Sequence, residues 1–295
     1  MVFCRNSGDG VPGVRVIWRA DARMPNTLNQ PLIVAECVES EPVHVSVAGG
    51  EAVICSFRSP DKDSPNEDAA VIVPLNSKTA ILAVADGVGG SRMAHTASAE
   101  AVKALSRIYE QAKKGEPHSR AAIVNAIERA NESVRDSGNG AATTLAVVEI
   151  DDYYVRPIHI GDSAVLVLGQ RRRVRMQTVA HSPIGYAIEA GVMDEGEAMH
   201  HEDRHLVSNV IGADDMRIEI GHRLRLARRD TVVLVTDGVL DNLHLDELID
   251  FVRVGSLEVA AERVMTAVQQ RMIKPEDNAP SKPDDTTMIL YRRSQ

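Results

Sequence analysis

Two apolar strand patterns that end in Asp-Gly constrain this chain more than any other feature. Residues 81–90 read ILAVADGVGG, and residues 231–242 read TVVLVTDGVLDN. Each pattern is an apolar strand that meets an aspartate, Asp86 or Asp237, and then passes through glycine into a helical pattern. A carboxylate at the end of a core strand costs free energy unless a positive group lies beside it, and glycine lets backbone approach closely. The two stretches together therefore predict one shared cation site.

Hydrophobic periodicity places these two stretches in a longer series of strands and helices. Strands are predicted where short apolar runs are bounded by turn residues, and helices where apolar residues recur every three or four positions. The predicted strands are 52–57, 69–75, 79–85, 143–150, 153–160, 164–169, 173–178, 217–220, 222–227, 231–236 and 286–292, and the predicted helices are 97–112, 123–134, 245–253 and 257–272. This order predicts sheet packed on sheet with the helices outside.

Residues 1–48 differ in composition from the rest of the chain. They are rich in Gly, Pro, Asn and Arg and carry only short apolar runs, so we interpret them as an N-terminal extension that contributes one strand. Residues 49–295 are predicted to form the main domain. Within that domain, the irregular and polar segment from His181 to Asp215 is long enough to be a functional flap.

Charge and composition exclude several classes of partner. The net charge of −9 argues against nucleic acid or an anionic membrane as the main partner. No apolar run approaches the length of about 18 residues that a membrane span needs, and no signal peptide is predicted. Cys4, Cys37 and Cys55 are odd in number and lack CxxC spacing, which indicates neither a disulfide framework nor a thiolate zinc site. We expect a monomer in the reducing cytoplasm.

Two further acidic pairs lie directly before predicted strands. Glu67-Asp68 precedes strand 69–75, and Asp284-Asp285 precedes the last strand. Together with Asp86 and Asp237 they form a set of oxygen ligands without His or Cys, which favours Mg²⁺ or Mn²⁺. Two such ions that share a carboxylate would activate a bridging water and neutralise a phosphoryl oxygen. The predicted chemistry is hydrolysis of a phosphate ester.

Seven motifs follow one another along the chain: NEDA (66–69), ADGVGG (85–90), ATTL (142–145), HIGDSAVLVL (159–168), SNVIG (208–212), DTVVLVTDGVLDN (230–242) and PDDTTMI (283–289). In this order they resemble the motifs of the metal-dependent PPM-type (type 2C) serine/threonine protein phosphatases, and of bacterial members in particular. The resemblance covers about residues 50–292 and makes 49–295 a phosphatase domain. It implies an α+β fold, a four-layer α-β-β-α sandwich of two antiparallel sheets flanked by helix pairs.

The same resemblance implies a function and a set of metal ligands. The function is hydrolysis of phosphoserine and phosphothreonine on proteins at a binuclear Mn²⁺ or Mg²⁺ site, with an opposing Ser/Thr kinase. Asp86 is similar to the carboxylate that bridges both metals, and Gly87 to the residue that supplies a backbone carbonyl. Asp237 and Asp284 match the acids that hold the second metal.

Further acids match positions around these two metals. Asp68, with Glu67 beside it, matches the acid that binds metal-bound water, and it completes the predicted catalytic set. Asp241 matches an acid used by members that bind a third metal. The other acid of that third site falls on Asn139, with Asp136 displaced. We therefore expect two ions, with a third left open.

Two departures from the family pattern concern the substrate. The arginine that many members place before the NED motif to hold phosphate is Asp63 here, and Lys62 and Arg58 are the nearest substitutes. These two residues are the predicted substrate-binding cations. Many eukaryotic members carry a histidine general acid where this chain has Val88, which leaves protonation of the leaving group to water or another group.

Two other functions stay open at this point. HEDRH, residues 201–205, fits the HExxH pattern of zinc metalloproteases, although its flanks lack an amphipathic helical run. The other possibility is a PPM-like module that binds phosphoprotein without hydrolysing it. Loss of a metal aspartate would be the signature of such a module. Because Asp86, Asp237 and Asp284 are all present, catalysis is favoured.

Overall fold

The computed structural model describes residues 26–39, 41–88, 93–115, 120–138, 140–198, 201–276 and 279–294. Gly89, Gly90 and Asn139, which the motifs above include, lie outside these ranges, as do residues 1–25 of the predicted extension. Within the described ranges, no helix is both long enough and apolar enough to cross a membrane.

The strands form two sheets. The spatial order of the first sheet is β1 (Asn26–Thr27), β3 (Val43–Val47), β4 (Gly50–Phe57), β15 (Thr286–Arg293), β14 (Thr231–Val235), β10 (Ala164–Leu168) and β11 (Val174–Gln177). The order of the second is β12 (Glu219–Ile220), β9 (Tyr154–Ile160), β8 (Leu145–Asp151), β6 (Thr79–Val88), β5 (Asp68–Pro74) and β2 (Leu32–Ala35), with β13 (Leu224–Arg225) paired to β9 and β7 (Ala142–Thr143) to β6. Neighbouring strands are antiparallel, except for the short parallel pair β1 and β3.

The described helices are α1 (Ala94–Ser106), α2 (Ile108–Lys113), α3 (Arg120–Asp136), α4 (Pro183–Glu189), α5 (Glu195–Ala198), α6 (Asp237–Leu240), α7 (Leu245–Val252) and α8 (Leu257–Ile273). Two pairs of them cover the outer faces of the sheets. The apolar face of α1 and α3 packs on the second sheet. The apolar face of α7 and α8 packs on the first sheet. Both pairs follow from apolar residues at helical spacing.

The strands alternate between an inner core and two outer cores, as their period of two requires. Ile72 of β5 lies in the core between the two sheets, whereas its neighbour Val71 lies in the core under α1 and α3. Val232 of β14 faces the same inner core, and Val233 faces α7 and α8. The predicted four-layer α-β-β-α sandwich is therefore confirmed.

The structure differs from the predicted elements in three places. More strands lie before residue 48 than the one that was predicted, since β2 pairs with β5 and β3 pairs with β4. Local composition there is typical of loops, and pairing with distant strands decides the structure. The boundary between 48 and 49 stays a prediction. Strand β6 continues to Val88, so that Asp86 lies inside the strand and not at its end. Cys37 is joined in a disulfide that the cysteine count did not predict.

A candidate metal centre at one edge of the sandwich

Acidic side chains from both sheets meet at one edge of the sandwich. Asp68, the first residue of β5, lies directly opposite Asp86 of β6. In the other sheet, Asp237 begins α6 immediately after β14, and Asp284 lies just before β15. The hydroxyl of Thr236 donates to Oδ2 of Asp68 at 2.8 Å, which joins the two sheets at this point. The acids predicted from the sequence are thus brought together.

Burial changes the protonation of the two facing aspartates. Burial raises the pKa of Asp68 well above its usual range, and the charge of Asp285 raises it further, while the hydrogen bond from Thr236 opposes the shift. Burial also raises the pKa of Asp86, with the charges of Asp237 and Asp68 adding to the effect. A nearby cation would favour the ionised form of both groups.

Lys282 is placed among three carboxylates of this edge. Its Nζ lies 3.1 Å from Oδ2 of Asp237, 2.8 Å from Oδ2 of Asp241 and 3.0 Å from Oδ2 of Asp284. Burial lowers the pKa of Lys282, but the three acids together raise it above its usual value. The ammonium group is therefore charged and neutralises part of the cluster. Nothing in the local sequence pattern indicated this role.

Lys62 plays a similar part on the other side of Asp284. Its Nζ lies 2.7 Å from Oε2 of Glu67, 3.1 Å from Oδ2 of Asp285 and 3.7 Å from Oδ1 of Asp284. Asp285 is buried, and its oxygens also accept backbone N–H groups of Ser59 at 2.7 Å and Glu67 at 2.8 Å. The lysine predicted to bind phosphate is thus beside the acid cluster.

Arg58, the other residue predicted to bind the substrate phosphate, has a different environment. Its Nη1 donates to the backbone carbonyl of Asp63 at 3.1 Å and to that of Ser64 at 3.2 Å. These contacts close the loop that leads from β4 to β5. Arg58 therefore braces the loop that carries Lys62.

Asp162 is an acid of the site that the sequence reasoning did not single out. It follows β9 in the motif HIGDS, and the charges of Asp237 and Asp241 reach it. Burial raises the pKa of Asp162 to about 7, those two charges add to the shift, and Lys282 opposes it. Its Oδ1 is buried without a hydrogen-bond partner in the described part of the chain. The GDS motif itself was the available signal.

Two glycines let backbone pack directly behind the acids, as the sequence predicted. A Cβ on Gly87 would lie 2.4 Å from the carbonyl oxygen of Ala94 at the start of α1. A Cβ on Gly238 would lie 2.0 Å from the carbonyl oxygen of Asp285. Both distances are far below a van der Waals contact, so a side chain at Gly87 would displace the start of α1, and one at Gly238 would displace the segment that carries Asp285.

The donors at this edge fit a hard divalent cation. All of them are oxygens, and Mg²⁺ and Mn²⁺ prefer oxygen ligands. Within the described residues, Oδ1 of Asp68 and Oδ1 of Asp162 are buried and unpartnered. Such oxygens are costly unless a cation or a donor completes them. These oxygens can therefore bind a divalent cation at this edge of the sandwich.

A second group of possible metal ligands, His159, His181 and Glu219, takes part in hydrogen bonds. His159, His181 and Glu219 bring their ligand atoms within 4.8 Å of one another. However, Nδ1 of His181 accepts the backbone N–H of Gly161 at 3.1 Å, which leaves the ring proton on Nε2, facing Oε2 of Glu219 at 3.1 Å. Nε2 of His159 pairs with the carbonyl of Val179 at 2.8 Å. These bonds use both ring nitrogens of His181 and Nε2 of His159.

The HEDRH segment does not have the geometry of a zinc protease. Residues Glu202–His205 form a single 3-10 turn, and Nδ1 of His201 caps it by accepting the N–H of Asp203 at 3.1 Å. An HExxH site needs an α-helix, which places the two histidines on one face. His205 is exposed. The segment is part of the flap.

The sequence is similar to those of bacterial protein phosphatases. The family model described as "Protein phosphatase 2C" matches residues 59–272. The chain is 26% identical over 240 residues to the "Serine/threonine phosphatase stp" of Listeria welshimeri, covering 78% of this chain and 90% of that protein. It is 27% identical over 195 residues to a "Putative protein phosphatase 2C-type" of Streptococcus pyogenes, covering 64% of this chain and 78% of that protein.

Solved structures share the fold. The serine/threonine phosphatase of S. agalactiae superposes with a TM-score of 0.71 at 20% identity, covering 83% of this chain and 100% of that chain. The catalytic domain of the serine/threonine phosphatase PstP in complex with two manganese ions superposes with a TM-score of 0.65 at 19% identity, covering 82% of this chain and 96% of that chain. At these identities the likeness concerns the fold.

Proposed function

The chain belongs to the protein phosphatase 2C family, and from this we propose that it hydrolyses phosphoserine and phosphothreonine on proteins in a reaction that requires Mn²⁺ or Mg²⁺. One observation carries the proposal: Asp68 and Asp86 of one sheet meet Asp237 and Asp284 of the other at a single edge. Acids crowded in this way repel one another when they are ionised, and a bound cation relieves that repulsion.

The ions would be held by residues already in place. The carboxylates of Asp86, Asp237 and Asp284 and the backbone carbonyl of Gly87 would hold the ions. When bound, the two ions would polarise the phosphoryl group and supply a water nucleophile. Asp241 would bind a third ion only in place of the ammonium of Lys282, which it shares with Asp237.

Asp68 is suited to orient the attacking water. Its Oδ2 is fixed by the hydroxyl of Thr236, and its backbone N–H donates to Oδ1 of Asn66 at 2.8 Å. Its Oδ1 has no partner within the described residues and can accept a hydrogen bond from the water.

The alternatives have less support. A module that binds phosphoprotein without hydrolysis would be marked by loss of a metal aspartate, and Asp86, Asp237 and Asp284 are all present. A zinc protease lacks the helix that its motif needs. The substrate would be a phosphoprotein made by an opposing Ser/Thr kinase. A cytoplasmic location and a monomeric state stay predictions.

The test is an assay of the purified full chain on p-nitrophenyl phosphate and on a phosphothreonine peptide. Mn²⁺ or Mg²⁺ should support turnover, and a chelator should abolish it. Asp86→Asn and Asp237→Asn should each remove activity while circular dichroism shows the same fold. His201→Ala is the matched control and should be nearly silent. Near-normal turnover of either aspartate variant at saturating Mn²⁺ would show that the site is elsewhere.

A further inference from the structure

A cavity opens beside the acid cluster, between the flap and the sandwich. Its volume is about 410 Å³, within the range of about 300–1,000 Å³ that ligand pockets occupy. Asp162, Asp237 and Asp241 belong both to its lining and to the acid cluster. A substrate group bound at these acids would therefore lie next to the cavity.

The rest of the lining is largely apolar. Ile184 and Ile188 of α4 contribute from the flap, Leu240 of α6 and Leu245 of α7 contribute from the sandwich side, and Ala164 contributes from β10. Ile188, Leu240 and Leu245 are only partly buried. They keep apolar surface that an occupant would cover, and covering it stabilises a complex.

We infer that this cavity binds an apolar side chain of the phosphoprotein substrate, at a position next to the phosphoserine or phosphothreonine. The inference rests on the proposed function, which places the phosphate at Asp86 and Asp237. Consecutive Cα atoms lie about 3.8 Å apart, so a residue adjacent to the phosphoresidue reaches a cavity that shares Asp237 with the site.

The chemistry of the lining selects against acidic neighbours. A carboxylate would lose its hydration among Ile184, Ile188 and Leu240, which is costly. It would also meet the charges of Asp162, Asp241 and Glu189, which outnumber Arg204, the one cation among the described lining residues. The substrates favoured by this cavity therefore carry a residue such as leucine beside the phosphoresidue, and not aspartate or glutamate.

The experiment compares phosphothreonine peptides that differ only at the residue before or after the phosphothreonine. Leucine, glycine and aspartate are placed at each of these two positions, and p-nitrophenyl phosphate serves as a substrate without neighbours. For the wild-type chain with Mn²⁺, leucine at one position should raise kcat/KM about tenfold over glycine, as a hydrophobic pocket typically discriminates. Aspartate there should lower it.

Variants on the flap show whether the cavity is responsible. Ile188→Ala should remove most of the preference for leucine and leave turnover of p-nitrophenyl phosphate unchanged. Val192→Ala is the control on the same flap, because Val192 is 79% exposed and does not line the cavity. Leu245→Ala tests the opposite wall without changing the flap.

The outcomes separate this proposal from the proposed function. Equal kcat/KM for leucine and glycine peptides in the wild type would overturn the proposal, as would an unchanged preference in both Ile188→Ala and Leu245→Ala. In either case hydrolysis of p-nitrophenyl phosphate would keep the proposed function intact. Absence of that hydrolysis in the wild type would overturn the proposed function and this proposal with it.

Discussion

Asp68 and Asp86 lie directly opposite each other on the antiparallel strands β5 and β6. Residues that face each other in this way share one side of the sheet, and like charges there destabilise the pair. Alternation along the strands places both side chains on the side of Ile72 and Leu82, between the two sheets. The protein tolerates this arrangement only if the carboxylates are protonated or lie beside a cation.

We expect the metal-free protein to lose stability as the pH rises. Burial raises the pKa of Asp162 from 3.8 to about 7, so the folded chain holds a proton that the unfolded chain releases. That contribution is fully present below pH 3.8 and is lost as the pH rises through about 7. The raised pKa values of Asp68 and Asp86 act in the same direction. Urea unfolding with a chelator, measured between these pH values, checks the slope.

Two comparisons make this measurement specific. Asp162→Asn should make the stability of the metal-free protein depend less on pH, because this variant lacks one of the carboxyl groups that bind a proton in the folded chain. Added Mn²⁺ should raise the melting temperature more at high pH than at low pH, since ionised carboxylates bind the metal and protons compete. A metal-free stability that rises with pH over the same interval, with no effect of Asp162→Asn, would contradict the expected burial of these acids.

The sequence predicted the layers of the fold because each layer follows from a local pattern. The continuous apolar runs of β5, β6 and β14 and the helical spacing in α3 and α8 are visible in single stretches of the chain. The acids were predicted for the same reason, since Asp86 and Asp237 each end an apolar run before glycine.

Contacts between distant segments were not predictable in this way. Lys282 reaches Asp237 and Asp241, which lie more than forty positions earlier in the chain, and no periodicity encodes that contact. Asp162 appeared only as part of a motif, because its importance comes from burial and from neighbours on other strands. More than one strand was not expected before residue 48, because the pairing of β2 with β5 and of β3 with β4, and not the local composition, determines their structure.

Lys282 is expected to compete with divalent cations. Metal binding beside Asp237 and Asp284 requires the ammonium either to leave them or to stay close to a second positive charge. Lys282→Gln should therefore tighten Mn²⁺ binding about fivefold, which corresponds to about 1 kcal/mol. The same change should lower the melting temperature of the metal-free protein, because three carboxylates lose the cation they share. Calorimetric titration with Mn²⁺ and thermal unfolding with a chelator measure the two effects.

The control for this change is another lysine. Lys78 is exposed, and its Nζ lies 4.0 Å from Oδ2 of Asp152, which is not one of the acids of the candidate metal centre. Lys78→Gln should therefore leave Mn²⁺ affinity unchanged. Weaker Mn²⁺ binding in Lys282→Gln would show that the lysine supports the metal site and does not oppose it.

His181 is expected to position the loop that carries Asp162. Its Nδ1 accepts the N–H of Gly161 at 3.1 Å and the side-chain amide of Asn209 at 2.9 Å. Asparagine can place an oxygen where Nδ1 lies, whereas glutamine reaches the region of Nε2. His181→Gln should therefore lower kcat about tenfold or more, since small misplacements in a site are costly, and His181→Asn should restore most of it. Thermal unfolding of both variants controls for stability, and equal loss in both would argue against positioning through Nδ1.

Lys62 is expected to bind the substrate phosphate in place of the arginine that many family members use. Lys62 lies among Glu67, Asp284 and Asp285, beside the acids proposed to hold metal, whereas Arg58 braces backbone carbonyls of its own loop. A phosphate dianion that enters a partly desolvated site needs a cation, and lysine supplies a point charge without the bidentate geometry of arginine. Lys62→Ala should raise KM for p-nitrophenyl phosphate several-fold and change kcat less, as when ground-state and transition-state binding fall together.

Comparison with Arg58 decides between the two cations. Arg58→Ala should loosen the loop at Asp63 and Ser64 and lower the melting temperature, with a smaller change in KM than Lys62→Ala causes. Lys62→Arg keeps the charge and should keep KM near that of the wild type. If KM rises in Arg58→Ala and is unchanged in Lys62→Ala, the phosphate is held by Arg58. If neither variant changes KM, the metal ions alone bind the phosphate, and the ammonium of Lys62 serves only to neutralise Glu67 and Asp285.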